Sequence, residues 1–318
     1  MLNRRHLRVK VLQSLYAFIQ SGNDDLAAGE KELLFGIEKI YDLYIYQFTL
    51  LAELHRQAGR VMEENRHKRL PTAEDLNPNT RFLDNKALLM IVSNQQLQEF
   101  ASKRKIHWNN DLDLVRKLLM HIQQQSYFQK YLEIPQPTLE QDVEFLVRLV
   151  KKDLMNFELL HHFYEEKSIY WLDDWELVNK MLIKTLKNAL EKGTAGIELL
   201  DLFKELEDRV FARDLFKRTI LNQQDMDQVI SDKTQNWDIE RIALMDVIIM
   251  KMALTEILKF PEIPIKVSLN EYIELSKMYS TPKSKVFING ILDKLVEEFI
   301  RDNKINKNVK GMPGIDKS

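Results

Sequence analysis

No cysteine occurs anywhere in the 318 residues. Disulfides, thiolate catalysis and cysteine-based zinc sites are therefore excluded, and the composition suits a reducing, cytoplasmic setting. Glycine is scarce, at nine residues, which leaves little material for phosphate-cradling or dinucleotide-binding loops. No such motif occurs, and no nucleophile elbow. No window approaches roughly 18 consecutive apolar residues, so none reads as a membrane span. The N-terminus lacks the apolar core of a secretory signal. Strand-type alternation is missing as well. These absences point to an all-α, non-enzymatic protein with no cofactor and no metal. His161 and His162 with Glu165 and Glu166 have a spacing that a helix could present to a metal. His161, however, falls on an apolar stripe, and no second ligand set stands at matching spacing.

What remains is an ordinary apolar share of 45% with 30% charged residues and a net charge of −2. The charge is unevenly placed. The first 23 residues carry Arg4, Arg5, Arg8 and Lys10 and no acid, and the tail from Arg301 adds Lys304, Lys307, Lys310 and Lys317 against Asp302 and Asp316. Basic ends on an acidic middle suit a localised polyanion contact; solvated charged ends are the alternative.

Helical periodicity runs from end to end. Leu7, Val11, Leu15, Phe18 and Ile19 form a first stripe that Ser21-Gly22 stops, with Arg4, Arg5 and Arg8 opposite it and free to meet phosphates. A second long helix is expected over Leu33 to Val61, and further helices over Asn85 to Arg104 and Asp111 to Leu132. Thr138 with Gln141 caps a long helix bearing Val143, Leu146, Val150, Leu154, Phe157, His161 and Tyr164. Asp174 to Glu191 and Ile197 to Leu221 follow, with Trp171 and Trp175 as core candidates. Asn236 to Leu258 is the most apolar helix expected, with Asn236 and Asp238 as cap candidates and no Gly or Pro in about six turns. It is apolar nearly all round and should be buried on several sides. Asp246 interrupts its richest face, so its carboxylate is either bonded internally or looks out towards a partner. Ser268 with Glu271 has the spacing of a capping box, and Thr281-Pro282 starts the last helix. In that helix Ile288, Leu292, Leu295, Val296 and Phe299 form the core face. Phe287 points elsewhere, beside Lys283, Gly290 and Lys294. Such an aromatic is either a base-stacking platform or a side chain packed under a neighbour.

Three blocks stand in an order shared with a known family: RRHLRVKVLQSLYAF from Arg4, the W-x-x-E-R-I segment from Trp237, and IPIKVSLNEYIELSKMYSTPKSKVFINGILDKL from Ile263. Within the last, N-E-x-x-E-L-x-K-x-Y at Asn270 to Tyr279 and S-x-x-F-x-N-G-x-L-D at Ser284 to Asp293 are the most specific. The chain resembles NusB, the bacterial transcription antitermination family, over its first helix and roughly residues 203–299. The resemblance implies a pair of helical bundles that binds boxA-type leader RNA with NusE, a small-subunit ribosomal protein. It further implies membership of the antitermination complex on RNA polymerase, in support of ribosomal RNA transcription. The expected RNA-binding set is Arg4, Arg5, Arg8, Lys10, Lys283, Phe287 and Lys294; the expected partner-binding set is Tyr16, Asp246 and Asn289. The family's domain also occurs fused to RNA cytosine methyltransferases, and no S-adenosylmethionine-binding unit is expected after it here.

The expected organisation is 1–60 as basic arm and first helices, 61–202 as a helical insertion, 203–303 as the NusB-like bundle and 304–318 as a disordered basic tail. The greasy central helix should bring the two ends of the chain side by side and form one polar groove. A helical protein-interaction scaffold, such as a ribosome-assembly adaptor, is the alternative function.

Overall fold

A computed structural model describes residues 1–191, 196–234 and 243–307. Among these residues the protein is all-α, apart from one isolated bridge between Leu2 and Phe203. Asn3 caps helix α1 (Arg4–Gln20), taking the His6 amide at 3.1 Å while the His6 ring accepts the Asn3 amide at 3.3 Å. A capping box thus forms with histidine in the usual place of glutamate. Ser21 and Gly22 end α1 as expected, Gly22 at φ +63°. Helix α2 (Leu26–Arg66) starts about two turns before Leu33, because Asp25 caps it through the Ala28 amide at 3.0 Å. Gly29 in its first turn is required by close packing. A Cβ there would lie 2.7 Å from Phe18 and 2.8 Å from Phe216, whose rings meet edge to face at 5.6 Å.

The chain divides into two compact units, one of Met1 with Glu38–Leu202, the other of Leu2–Ile37 with the chain from Phe203. The first unit continues α2 and adds α3 (Ala73–Leu76), α4 (Lys86–Val92), α5 (Gln95–Arg104), α6 (Leu112–Gln123), α7 (Ser126–Leu132), α8 (Leu139–Leu149), α9 (Glu158–Lys167) and α10 (Trp175–Glu191). Helices expected to be continuous are broken here. Asn94 starts α5 by taking the Leu97 amide at 2.8 Å, and the chain breaks again between α6 and α7. Thr138 and Gln141 make their capping box, but the long helix after them passes through a π turn at Val150–Leu154 and stops before α9. That turn directs Asp153 inward, where it accepts the Tyr127 hydroxyl and lies 3.2 Å from His121 Nε2. Burial raises the Asp153 pKa. Trp171 is buried and donates to the Lys39 carbonyl at 2.7 Å, whereas Trp175 is half-buried. His161 Nε2 lies 2.8 Å from the Met155 carbonyl oxygen, and the described residues contain no group of three metal-ligating side chains.

The second unit adds α11 (Leu206–Leu221), α12 (Gln223–Lys233), α13 (Leu244–Lys259), α14 (Ile265–Tyr279) and α15 (Pro282–Arg301) to α1 and the start of α2. Helix α11 begins at Leu206, well after Ile197. Helix α13 begins at Leu244, since Ala243 is extended at ψ 135°; the cap candidates Asn236 and Asp238 and the Trp237 block lie outside the described residues. Every residue from Ile248 to Ile257 is buried, with α1, α11, α12, α14 and α15 packed around α13. Each such aliphatic side chain contributes about 1.5–3 kcal/mol on burial. Thr281 caps α15 through the Ser284 amide at 3.2 Å, with Pro282 at its first position, and Ile288, Leu292, Leu295, Val296 and Phe299 face the core. The Ser268–Glu271 capping box does not form, because α14 already begins at Ile265 behind Pro264. Both side chains are then free for longer-range partners. Lys307 does not belong to a solvated tail either. It is buried, and its ammonium donates to the carbonyls of Phe260 at 2.7 Å and Glu256 at 3.2 Å, at the C-terminal end of α13. Residues 308–318 lie outside the described residues.

Candidate nucleic-acid interface

Helix α1 is covered on two sides, by α11 and by α13, and this decides where its arginines go. Arg8 is 3% exposed. Its Nε and Nη2 each donate to Glu256 at 2.8 Å, and that fully buried carboxylate also accepts the Ser268 hydroxyl at 2.7 Å and the Tyr272 hydroxyl at 2.9 Å. Burial is the largest influence on Arg8 and works against its charge, but the Glu256 hydrogen bonds and the neighbouring charges of Tyr272, Glu256 and Glu271 together outweigh it and the Arg8 pKa is raised. Arg8 is therefore an internal, fully partnered cation, which corrects its expected place opposite the apolar stripe. Lys10, also of the expected RNA-binding set, is buried too, at 5% exposed.

Arg4 and Arg5 are the accessible members. Arg5 donates to both oxygens of Glu271, Nε to Oε2 at 2.9 Å and Nη2 to Oε1 at 2.7 Å. Those bonds hold the Glu271 pKa below its usual value. Arg4 Nε lies 3.6 Å from Asp208 Oδ1, and its guanidinium stands 4.9 Å from the Phe211 ring centroid. The three arginines converge on an open cleft of about 430 Å³ that Asn3, Glu262, Ile263, Pro264, Val267 and Glu271 complete.

A second surface lies along α15. Lys283, Val286, Gly290 and Lys294 are exposed on the face opposite its core, with Phe287 half-buried beside them. A Cβ on Gly290 would meet nothing within 4 Å, so this strip is open. Asn289 is exposed and donates to Asp293 at 2.8 Å. Asp246 is 4% exposed and accepts the Ser280 hydroxyl. Of the two readings left open for it, the structure shows the internal hydrogen bond. Tyr16 is 38% exposed and accepts from Gln20 at 3.3 Å. One turn before it, Gln13 donates to the Tyr279 hydroxyl at 3.2 Å.

Helix α1 packs chiefly on α11 and α13, and α15 on α13 and α14. Contacts between α1 and α14 link them, through Arg5 and Glu271 at one end and Gln13 and Tyr279 at the other. Sequence reasoning missed the acids Glu256, Glu271 and Asp208. Glu256 carried a signal of the same kind as Asp246, a lone carboxylate within an apolar helix.

An all-α unit whose basic first helix rims an open cleft, and whose last helix presents lysines beside a half-exposed aromatic, defines a candidate RNA-binding protein. The NusB family model matches residues 169–297, from the turn before α10 into α15. A transcription antitermination protein NusB of Salinibacter ruber is 37% identical over 126 residues, 40% of this chain and 79% of that protein. The NusB of Chloroherpeton thalassium is 35% identical over 126 residues, with 60% of its length covered, and that of Natranaerobius thermophilus 42% identical over 90 residues, again with 60% covered. A solved T. maritima NusB matches 48% of this chain and 89% of its own at 26% identity, with a TM-score of 0.29. The chain belongs to the NusB family of transcription antitermination proteins.

Proposed function

We propose that this protein is a non-enzymatic antitermination factor that binds boxA-type RNA together with the ribosomal protein NusE, and so supports ribosomal RNA transcription by RNA polymerase. The observation that carries this reading is the convergence of Arg4, Arg5 and Arg8 on one open cleft in the unit that holds most of the family match. Guanidinium groups recognise phosphate through paired, directional hydrogen bonds, and Arg5 already makes such a pair with a carboxylate. In this reading Arg4 and Arg5 meet backbone phosphates while Arg8 holds the cleft's inner wall in place. Phe287, flanked by Lys283 and Lys294, stacks a base on the open face of α15. NusE meets the surface around Tyr16, Asn289 and the Ser280–Asp246 corner, where Asp246 acts by fixing the entry to α15.

Electrophoretic titration of boxA RNA, with and without NusE, tests this. The expected result is a specific complex with the protein alone that tightens when NusE is added. Equal binding to boxA and scrambled RNA, with no effect of NusE, contradicts it.

A further inference from the structure

The arginine cleft holds an oxyanion already. Glu271 Oε2 lies 2.9 Å from Arg5 Nε and 3.7 Å from Arg8 Nη1, while Oε1 takes the second Arg5 bond at 2.7 Å. The carboxylate therefore sits between two guanidinium groups with both oxygens engaged, the placing that a phosphodiester's two free oxygens would need. The two arginines differ in what holds them. Arg8 is fixed by Glu256 whether or not Glu271 is present. Arg5, with its side chain 48% exposed, has Glu271 as its hydrogen-bonded acid.

We propose that Glu271 is the specificity-determining residue of this cleft: its carboxylate occupies the seat between Arg5 and Arg8 that a backbone phosphate takes when RNA binds. The proposal rests on the RNA-binding reading above and says how that site selects its ligand. An incoming phosphate must displace a tethered carboxylate that is always present at the seat. A free phosphate ion has no other contact with which to offset that loss. A nucleic-acid strand has, because neighbouring phosphates reach Arg4 and its bases reach other surfaces. Glu271 thus sets a threshold that a chain of linked phosphates passes and isolated anions do not. The seat keeps its shape during the exchange, since Arg8 does not depend on Glu271 for its position. Glu262 on the cleft wall and Glu274 beside Arg5 add charge around the seat.

The test uses the full chain and two probes, inorganic phosphate and a boxA-type RNA. Glu271→Gln keeps the side chain's shape and removes its charge. It should bind RNA about 3- to 10-fold more tightly at low salt, because the same phosphate contact no longer has to displace a charged group from the seat. Inorganic phosphate should raise its melting temperature clearly while barely moving that of the wild type. Arg5→Ala combined with Glu271→Gln should abolish both gains. Glu271→Asp, which retains the charge but is one methylene shorter, should shift both measurements in the same direction by less, and it serves if the glutamine variant folds poorly. Unchanged or weaker RNA binding by folded Glu271→Gln, with no added response to phosphate, overturns the proposal and makes Glu271 a structural partner of Arg5. If wild type and Arg5→Ala bind RNA alike, the RNA reading fails, and the phosphate melts alone decide whether the seat exists.

Discussion

Replacing Arg8 by alanine removes two of the four hydrogen bonds to Glu256, both at 2.8 Å, and leaves the Ser268 and Tyr272 hydroxyls as donors to a fully buried carboxylate. Hydrogen bonds to charged groups contribute about 1.5–3 kcal/mol each, and stripping one partner from a buried ion pair costs about 3–5 kcal/mol. The two routes agree on a loss of about 3–5 kcal/mol, a large fraction of the roughly 5–15 kcal/mol that holds a domain folded. The surface pair of Arg5 with Glu271 sets the contrast, since exposed pairs contribute about 0–1 kcal/mol. Urea denaturation followed by circular dichroism should therefore show Arg8→Ala far less stable than Arg5→Ala. Arg8→Met combined with Glu256→Leu should recover most of the loss, because an apolar pair of similar volume needs no counter-charge. If Arg8→Ala loses under about 1 kcal/mol while RNA affinity falls more than in Arg5→Ala, Arg8 is a surface RNA contact and the account of the buried network is wrong.

Gly29→Ala places a methyl group against Phe18 and Phe216 at under 3 Å; overpacking of about 1–3 kcal/mol should exceed the helix-propensity gain of about 1 kcal/mol, and a raised melting temperature would refute the close approach. Phe287→Ala should weaken boxA-type RNA binding by about 1–3 kcal/mol at unchanged melting temperature, whereas a lowered melting temperature with unaltered binding assigns the ring to packing. The lowered Glu271 pKa means that its pairing stabilises the protein above the unfolded carboxyl value, near ~4.3, and that this contribution is lost as pH falls through the lower folded value. Urea midpoints of wild type and Glu271→Gln should then differ at pH 7 and converge as the pH is lowered below the usual carboxyl range; a gap that widens on acidification contradicts the pairing.

The parts of the structure that local chemistry dictates were readable from the residues. Thr281-Pro282 marks the start of α15, its apolar stripe marks the buried face, and the apolar girth of α13 implies neighbours all round. Arg8 was not readable, because the acid that claims it stands 248 positions away and only the covering of α1 on two sides brings them together. Ser268 and Glu271 mislead for a related reason. Their spacing satisfies a local capping rule, but Pro264 has already started the helix, and tertiary partners take both side chains. The first unit shows a third limit. Apolar spacing does not register a break at Asn94, where a capping side chain substitutes for a lost backbone bond.

The most direct test of the arginine cleft as the RNA seat is the salt dependence of boxA-type RNA binding by wild type and by Arg4→Ala combined with Arg5→Ala. The account predicts weaker binding by the double variant and a log–log slope shallower by about 1.4, two single-strand phosphate contacts at about 0.7 each. Superimposable lines for the two proteins, equal in affinity and slope, would contradict it.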